Sequence, residues 1–226
     1  VGEGPVERGD GKETILRLAG RRHPPAQADL DAENWRSARR GATSLLDSLS
    51  RRVASAGEAE NRLFAVAALH RALAHAGAGD LEKAEWDWHI AASFDKDEAA
   101  VDLSRYREAG RRLDEARRRY LEEAAQTADL SGGPVAPMGD SGAVTRPRRK
   151  ATAVPSPSGR PGLGGGPVKI HAIIDVEGRV IAPRLVEYSR PSRGFEALDL
   201  IKKWRFEPAT LDGKPVPVFY RLTVNF

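Results

Sequence analysis

The sequence predicts an α+β protein built in more than one part, and three observations carry that prediction. From Asp29 the chain turns rich in Ala, Arg, Glu and Leu, with apolar residues three and four apart, which is the spacing of amphipathic helices. From Val168 the apolar residues alternate instead, the period of a strand with one buried face. Between the two, residues 131–167 hold seven prolines and nine glycines and too little apolar surface to offset the cost of ordering. The expected architecture is an N-terminal α-helical bundle, a disordered Pro/Gly linker and a C-terminal β-β-α-β unit.

Residues 1–28 form an irregular arm, punctuated by Gly2, Gly4, Gly9, Gly11, Pro24 and Pro25. The helical region is 29–130. Its first helix carries Trp35, Ala38, Ala42, Leu45, Leu46, Leu49 and Val53 on one face and ends near Gly57. A second runs from Glu58 to Ala76 and a third from Leu81 to Phe94, with Asp80 as its N-cap. A fourth spans Glu98 to Ala128 and is kinked or divided at Gly110. Residues 68–97, ALHRALAHAGAGDLEKAEWDWHIAASFDKD, resemble one tetratricopeptide repeat: Ala72, Ala84, Trp88 and Ala91 fit its small and aromatic positions. His75 and Lys96 depart from it. One legible repeat is too few for a solenoid, so the region reads as TPR-like or as an ordinary antiparallel bundle.

The linker, 131–167, spans on the order of 35 Å as a coil. It also carries part of the charge. Five Lys or Arg stand against one Asp there, ten against seven in 168–226, and 21 against 24 in the rest, for a net charge of +4. The basic excess therefore lies in the linker and the end domain. Cysteine is absent, which excludes disulfides and thiolate metal sites. No run of about 18 apolar residues exists to span a bilayer. The only methionine is Met138, so a chain opening on Val1 is expected to be a processed product, with a signal peptide or anchor upstream.

In the end domain, Val168, Ile170, Ala172, Ile174 and Val176 alternate up to a turn at Glu177-Gly178. Arg179 to Tyr188 forms a second strand, bent or bulged at Pro183. Phe195, Leu198, Ile201 and Trp204 make one helical stripe from Gly194, stopped before Pro208. Asp212-Gly213 turns the chain into a last strand, Val216 to Phe226, whose core face is Val218, Tyr220, Leu222 and Val224.

Ile174-Asp175, Gly178, Val180, Trp204 to Ala209 and Asp212 to Val216 together resemble the C-terminal domain of TonB-family energy transducers. The resemblance covers the final quarter of the chain, 168–226. It implies a non-enzymatic, periplasmic protein that transmits energy to TonB-dependent transport. The implied partner is an outer-membrane receptor, whose extended TonB box adds to the final strand. Val218, Phe219, Tyr220, Arg221, Leu222, Thr223, Val224, Asn225 and Phe226 are then the binding edge, with Pro217, Phe219, Arg221, Thr223 and Asn225 flanking the bound segment. Inner-membrane motor proteins are implied through an anchor that this sequence lacks.

Nothing in the chain spells an enzyme. His23, His70, His75, His89 and His171 share no ligand spacing, and His70 and His75 diverge by about 140° on a helix; they read as solvated or capping. The glycine run at 162–166 lacks the Lys-Ser/Thr of a phosphate loop. No metal or cofactor is expected. Arg146, Arg148, Arg149 and Lys150 form a basic cluster without the interleaved aromatics that stack bases, so nucleic acid is not an expected partner. A solvated segment, or attraction to a membrane or wall polymer, fits better. Trp86 and Trp88 lie about 200° apart on their helix: the repeat pattern assigns Trp88 to the core and leaves Trp86 for a partner groove. Two functions follow. One is an energy transducer; the other is a periplasmic scaffold, its helical part and its end domain each holding a protein without transmitting force. A third reading is an accessory that binds the wall through the basic linker.

Overall fold

The structure, a computed structural model, describes residues 25–52, 57–125, 128–129, 144–150 and 166–226. Of the expected N-terminal arm, residues 1–24 lie outside the described residues, and Pro25 already opens a helix. The first expected helix is two: α1, Pro25–Asp31, and α2, Trp35–Arg52. Helices α3, Glu58–Gly77, and α4, Leu81–Phe94, follow the apolar spacing closely. Helix α3 is the centre of the bundle. Ala65, Ala67, Ala68, Ala72, Ala74 and Ala76 are fully buried, and side chains that small let α2, α4 and a later helix approach it on several sides. As expected, the Asp80 carboxylate caps α4 by accepting the Lys83 N–H at 3.3 Å.

The long fourth helix is broken earlier than Gly110. Asp95 caps a single turn, α5, Lys96–Ala99. A 3₁₀ turn, Ser104–Tyr106, leads into α6, Arg107–Ala125. The Asp102 carboxylate accepts both the N–H and the hydroxyl of Ser104, which stabilises the break. Gly110 lies inside α6 without dividing it: a Cβ there would stand 2.0 Å from the Leu103 carbonyl oxygen, so the glycine permits a close approach.

The end domain follows the expected strand, strand, helix, strand order, with additions. Strand β1, Ala128–Asp129, and strand β2, Arg148–Arg149, precede β3, Val168–Ile174, and β4, Val180–Glu187. Helix α7, Pro191–Ile201, starts three residues before the expected Gly194 and ends at Ile201, well short of the expected stop at Pro208. Proline at N1 is preorganised for a helix start. At the other end, Lys203 and Trp204 donate back to Leu200 and Ile201 and tighten the exit, so Trp204 is buried beyond the helix. Then come β5, Phe206–Glu207, the β6–β7 hairpin, Ala209–Leu211 and Lys214–Val216, and β8, Val218–Val224. Asp212 and Gly213 both have positive φ, as a two-residue hairpin turn requires. Pro217 separates the hairpin from the final strand, which the sequence had joined.

The main sheet has the order β1-β8-β3-β4. Strands β3 and β8 pair antiparallel from Val168↔Val224 to Ile174↔Val218. The β3–β4 register slips between His171 and Ile173, beside Ala182 at φ 49° and Pro183, which is the expected bulge. The helices and this sheet share one continuous apolar core, where the sequence suggests two units on a tether. Helix α4 packs along β4, and α2 and α3 contact α7.

Candidate functional site

A sheet carries its chemistry of association at its edges, where N–H and C=O groups lack partners. This sheet has two sides to account for. On the β4 side the bundle closes the edge. The Ser93 hydroxyl of α4 accepts the Leu185 N–H at 3.0 Å and donates to the His89 carbonyl at 2.8 Å. Phe94 packs edge-on against Tyr188, whose hydroxyl donates to Asn61 of α3 at 3.2 Å. Phe195 of α7 lies beside Phe64, with the Arg71 guanidinium 5.6 Å above its ring. Arg71 is in turn clamped by both Asp87 oxygens at 2.6 and 2.7 Å. Burial lowers the Arg71 pKa, and the surrounding carboxylates, Asp87 foremost with Asp199 and Asp47, more than offset it, so the guanidinium stays charged inside the interface.

On the other side lies β8. Val218, Leu222 and Val224 are buried against the core, and Tyr220 is half-buried with its ring 6.3 Å from that of Phe206. On the opposite face Phe219 is half-buried while Arg221, Thr223 and Asn225 are exposed. Arg221 Nε donates to His171 Nε2 at 3.3 Å. Lys169, across from Thr223, pairs with Glu187 at 2.6 Å. Phe226 is half-buried beneath the Arg193 guanidinium, 4.6 Å from its ring. Strand β1 lies parallel to the beginning of β8, with Ala128↔Val218 and Asp129↔Phe219 in register. Beyond Phe219, no described strand covers β8 from Tyr220 to Val224 on that side.

The turn that holds this sheet together explains one of the sequence signatures. Asp175, 7% exposed, accepts the N–H groups of Glu177 and Arg179 and the Nε–H of Arg179. Gly178 has φ +75°, and a Cβ there would sit 1.8 Å from the Phe206 carbonyl oxygen. Its own carbonyl accepts the Phe206 N–H at 2.8 Å. Asp and Gly three apart thus cap the turn and let β5 cross over it.

The basic cluster is not free in solution. Residues 144–150, within the expected linker, are stitched to the end domain. Val144 is buried, and Thr145 exchanges hydrogen bonds with Thr210. Arg148 and Arg149 pair with Glu207 and Phe206, and the Lys150 N–H donates to the Arg205 carbonyl at 2.9 Å. The Arg149 guanidinium lies 4.6 Å above the Trp204 ring. Arg146 is exposed. Residues 131–143 and 151–165 of the expected linker lie outside the described residues.

The two tryptophans are exposed in the reverse of the expected order. Trp86 is 7% exposed, beneath Lys202 Nζ at 5.0 Å, because the face of α4 that carries it is where the end domain docks. Trp86 and Lys202 line two clefts, of about 510 and 470 Å³, between the bundle and the end domain. Trp88 is half-buried, its Nε1–H donated to the Ala99 carbonyl at 3.0 Å. The histidines also depart from expectation: His70, His75 and His89 are buried, since α3 is enclosed by its neighbours and α4 lies between the bundle and the sheet. Burial pushes the pKa of His75 and His89 down. His23 lies outside the described residues. Among the described residues no three His, Cys, Asp or Glu side chains converge to hold a metal, and no helix is long and apolar enough to cross a membrane.

Residues 164–226 match the family model of the Gram-negative bacterial TonB protein C-terminal domain. A search of curated proteins and of solved structures finds no match to the chain.

Proposed function

From the TonB-type domain at 164–226, we propose that this chain is a periplasmic binding protein, without catalytic activity, whose β8 edge captures an extended segment of an outer-membrane receptor. The observation that carries this reading is the asymmetry of the sheet: the bundle closes the β4 edge and leaves β8 from Tyr220 onward to accept a strand. Strand addition draws affinity from main-chain bonds and selectivity from alternate side chains. Here those are Phe219, Arg221, Thr223 and Asn225 on one face, with Tyr220, Leu222 and Val224 supporting the other. Captured in this way, the receptor segment couples TonB-dependent transport to the chain. Inner-membrane motor proteins enter only through a membrane anchor outside these residues.

A scaffold reading is favoured by a different observation. The bundle shares a core with the end domain, so a protein held by the helices would be fixed relative to one held by β8. Trp86 is not the contact in that case, since Lys202 covers it. An NMR titration with synthetic peptides from receptor N-terminal segments tests the main reading. Shifts centred on Tyr220–Phe226 support it, and shifts centred on the helices, or none across a panel of peptides, overturn it.

A further inference from the structure

We propose that Ala128–Asp129 is a built-in competitor for the β8 edge, a strap that an incoming strand must displace to pair along its whole length; this rests on the reading of β8 as the docking edge. The strap occupies the first two positions of the strand, Val218 and Phe219, in parallel register. Those positions are where the edge begins, because Pro217 has no N–H to offer and the β6–β7 hairpin precedes it.

Two features hold the strap near its site. Helix α6 ends at Ala125 and packs on α3 and α4, so only two residues separate a fixed helix from the strap. A leash that short gives a high effective concentration. On the far side the chain is tied down again at 144–150, through Thr145 to Thr210 and Lys150 to Arg205. Neither anchor competes with a partner for β8 itself. The strap is nevertheless only two residues long, and so brief a ladder is easily opened. A partner therefore first meets β8 at Tyr220–Val224 and gains Val218 and Phe219 only when the strap leaves. Because apparent affinity scales with the fraction of the chain in the open form, the strap weakens long segments and leaves short ones unaffected.

The test compares the full chain with two strap variants, the double substitution Ala128→Pro/Asp129→Pro and the replacement of 126–130 by Gly-Ser-Gly-Ser-Gly. Proline removes the ladder donors; the Gly-Ser version guards against misfolding caused by proline. Amide exchange along Val218–Tyr220 without any peptide is expected to quicken about tenfold in both variants. A nine-residue receptor-segment peptide is expected to bind both about tenfold more tightly, while its five-residue truncation binds all three chains alike. Unchanged exchange overturns the strap, and so does faster exchange with equal affinity for the long peptide. If no peptide binds any chain but exchange still separates them, the docking function fails while the strap stands as the cover of that edge.

Discussion

The hydroxyl of Ser93 on helix α4 accepts the backbone N–H of Leu185 on strand β4 at 3.0 Å. One side chain of the bundle thus performs for the sheet what a neighbouring strand would otherwise do. Ser93→Ala leaves the Leu185 N–H buried without its acceptor, which costs about 1–3 kcal/mol. Urea denaturation is expected to show that loss as a lower midpoint at an unchanged slope. Peptide binding at β8, on the far side of the sheet, is expected to stay within error of the parent.

The Asp175–Gly178 turn predicts a larger effect. Gly178→Ala places a methyl 1.8 Å from the Phe206 carbonyl oxygen at a positive φ, so β5 must shift or the turn must open. The expected loss is above about 3 kcal/mol, in the range of strain and overpacking combined. Asp175→Asn keeps the shape but weakens the bonds to two N–H groups and the Arg179 guanidinium, and is expected to cost about 1–3 kcal/mol. Thermal unfolding of the two variants ranks them.

The contact between Arg149 and Trp204 gives a test of whether the stretch 144–150 is held on the end domain in solution. Arg149→Ala removes a cation–π pair in which an exposed guanidinium lies 4.6 Å from the buried Trp204 ring, and is expected to lower stability by about 0.5–1 kcal/mol. Stability of the Arg149→Ala variant equal to that of the parent would mean that the stretch is not docked.

Local periodicity made the elements of the end domain legible in the sequence. The alternation in β3 and β8 and the Asp212–Gly213 turn are short-range signals, and helices α3 and α4 follow their spacing. What the sequence did not show depends on contacts distant in the chain. Residues 144–150 look like linker because Pro147 and the four basic residues bury nothing locally; their partners, Trp204, Arg205 and Thr210, lie some sixty residues away. The repeat pattern places Trp88 in the core and leaves Trp86 for a partner groove, because the helix by itself says only that the two face different sides. The docked end domain decides which of the two is covered. The same holds for Ser93, an unremarkable helix residue until β4 is beside it.

The buried histidines set an acid limit on stability. Burial holds His75 and His89 below the ordinary imidazole value, against Asp87 and Asp80 facing His75 and Glu85 facing His89; Arg39 and Arg71 press His75 further down. A base with a depressed folded pKa is protonated first in the unfolded chain. Stability is therefore complete above the unfolded value of about 6.5 and is lost as pH falls from there through the lowered folded values. The urea midpoint is expected to drop between pH 7 and pH 5. In a His75→Asn/His89→Asn variant that slope is expected to flatten, whatever the variant's stability at pH 7.

Strand addition at β8 makes a prediction about the partner's backbone that no side-chain contact would make. A strand offers its N–H groups alternately to either side, so only every second amide of a bound segment would reach β8. N-methylation of one set of alternate residues in a receptor-segment peptide is expected to weaken binding about tenfold per methyl, by removing a donor and pushing the strands apart. The other set, facing solvent, is expected to lose less than threefold. Isothermal titration of singly methylated peptides against the full chain reads the pattern directly. An alternating profile identifies main-chain pairing; a profile following side-chain size instead would move the site from the edge of β8 to one of its faces.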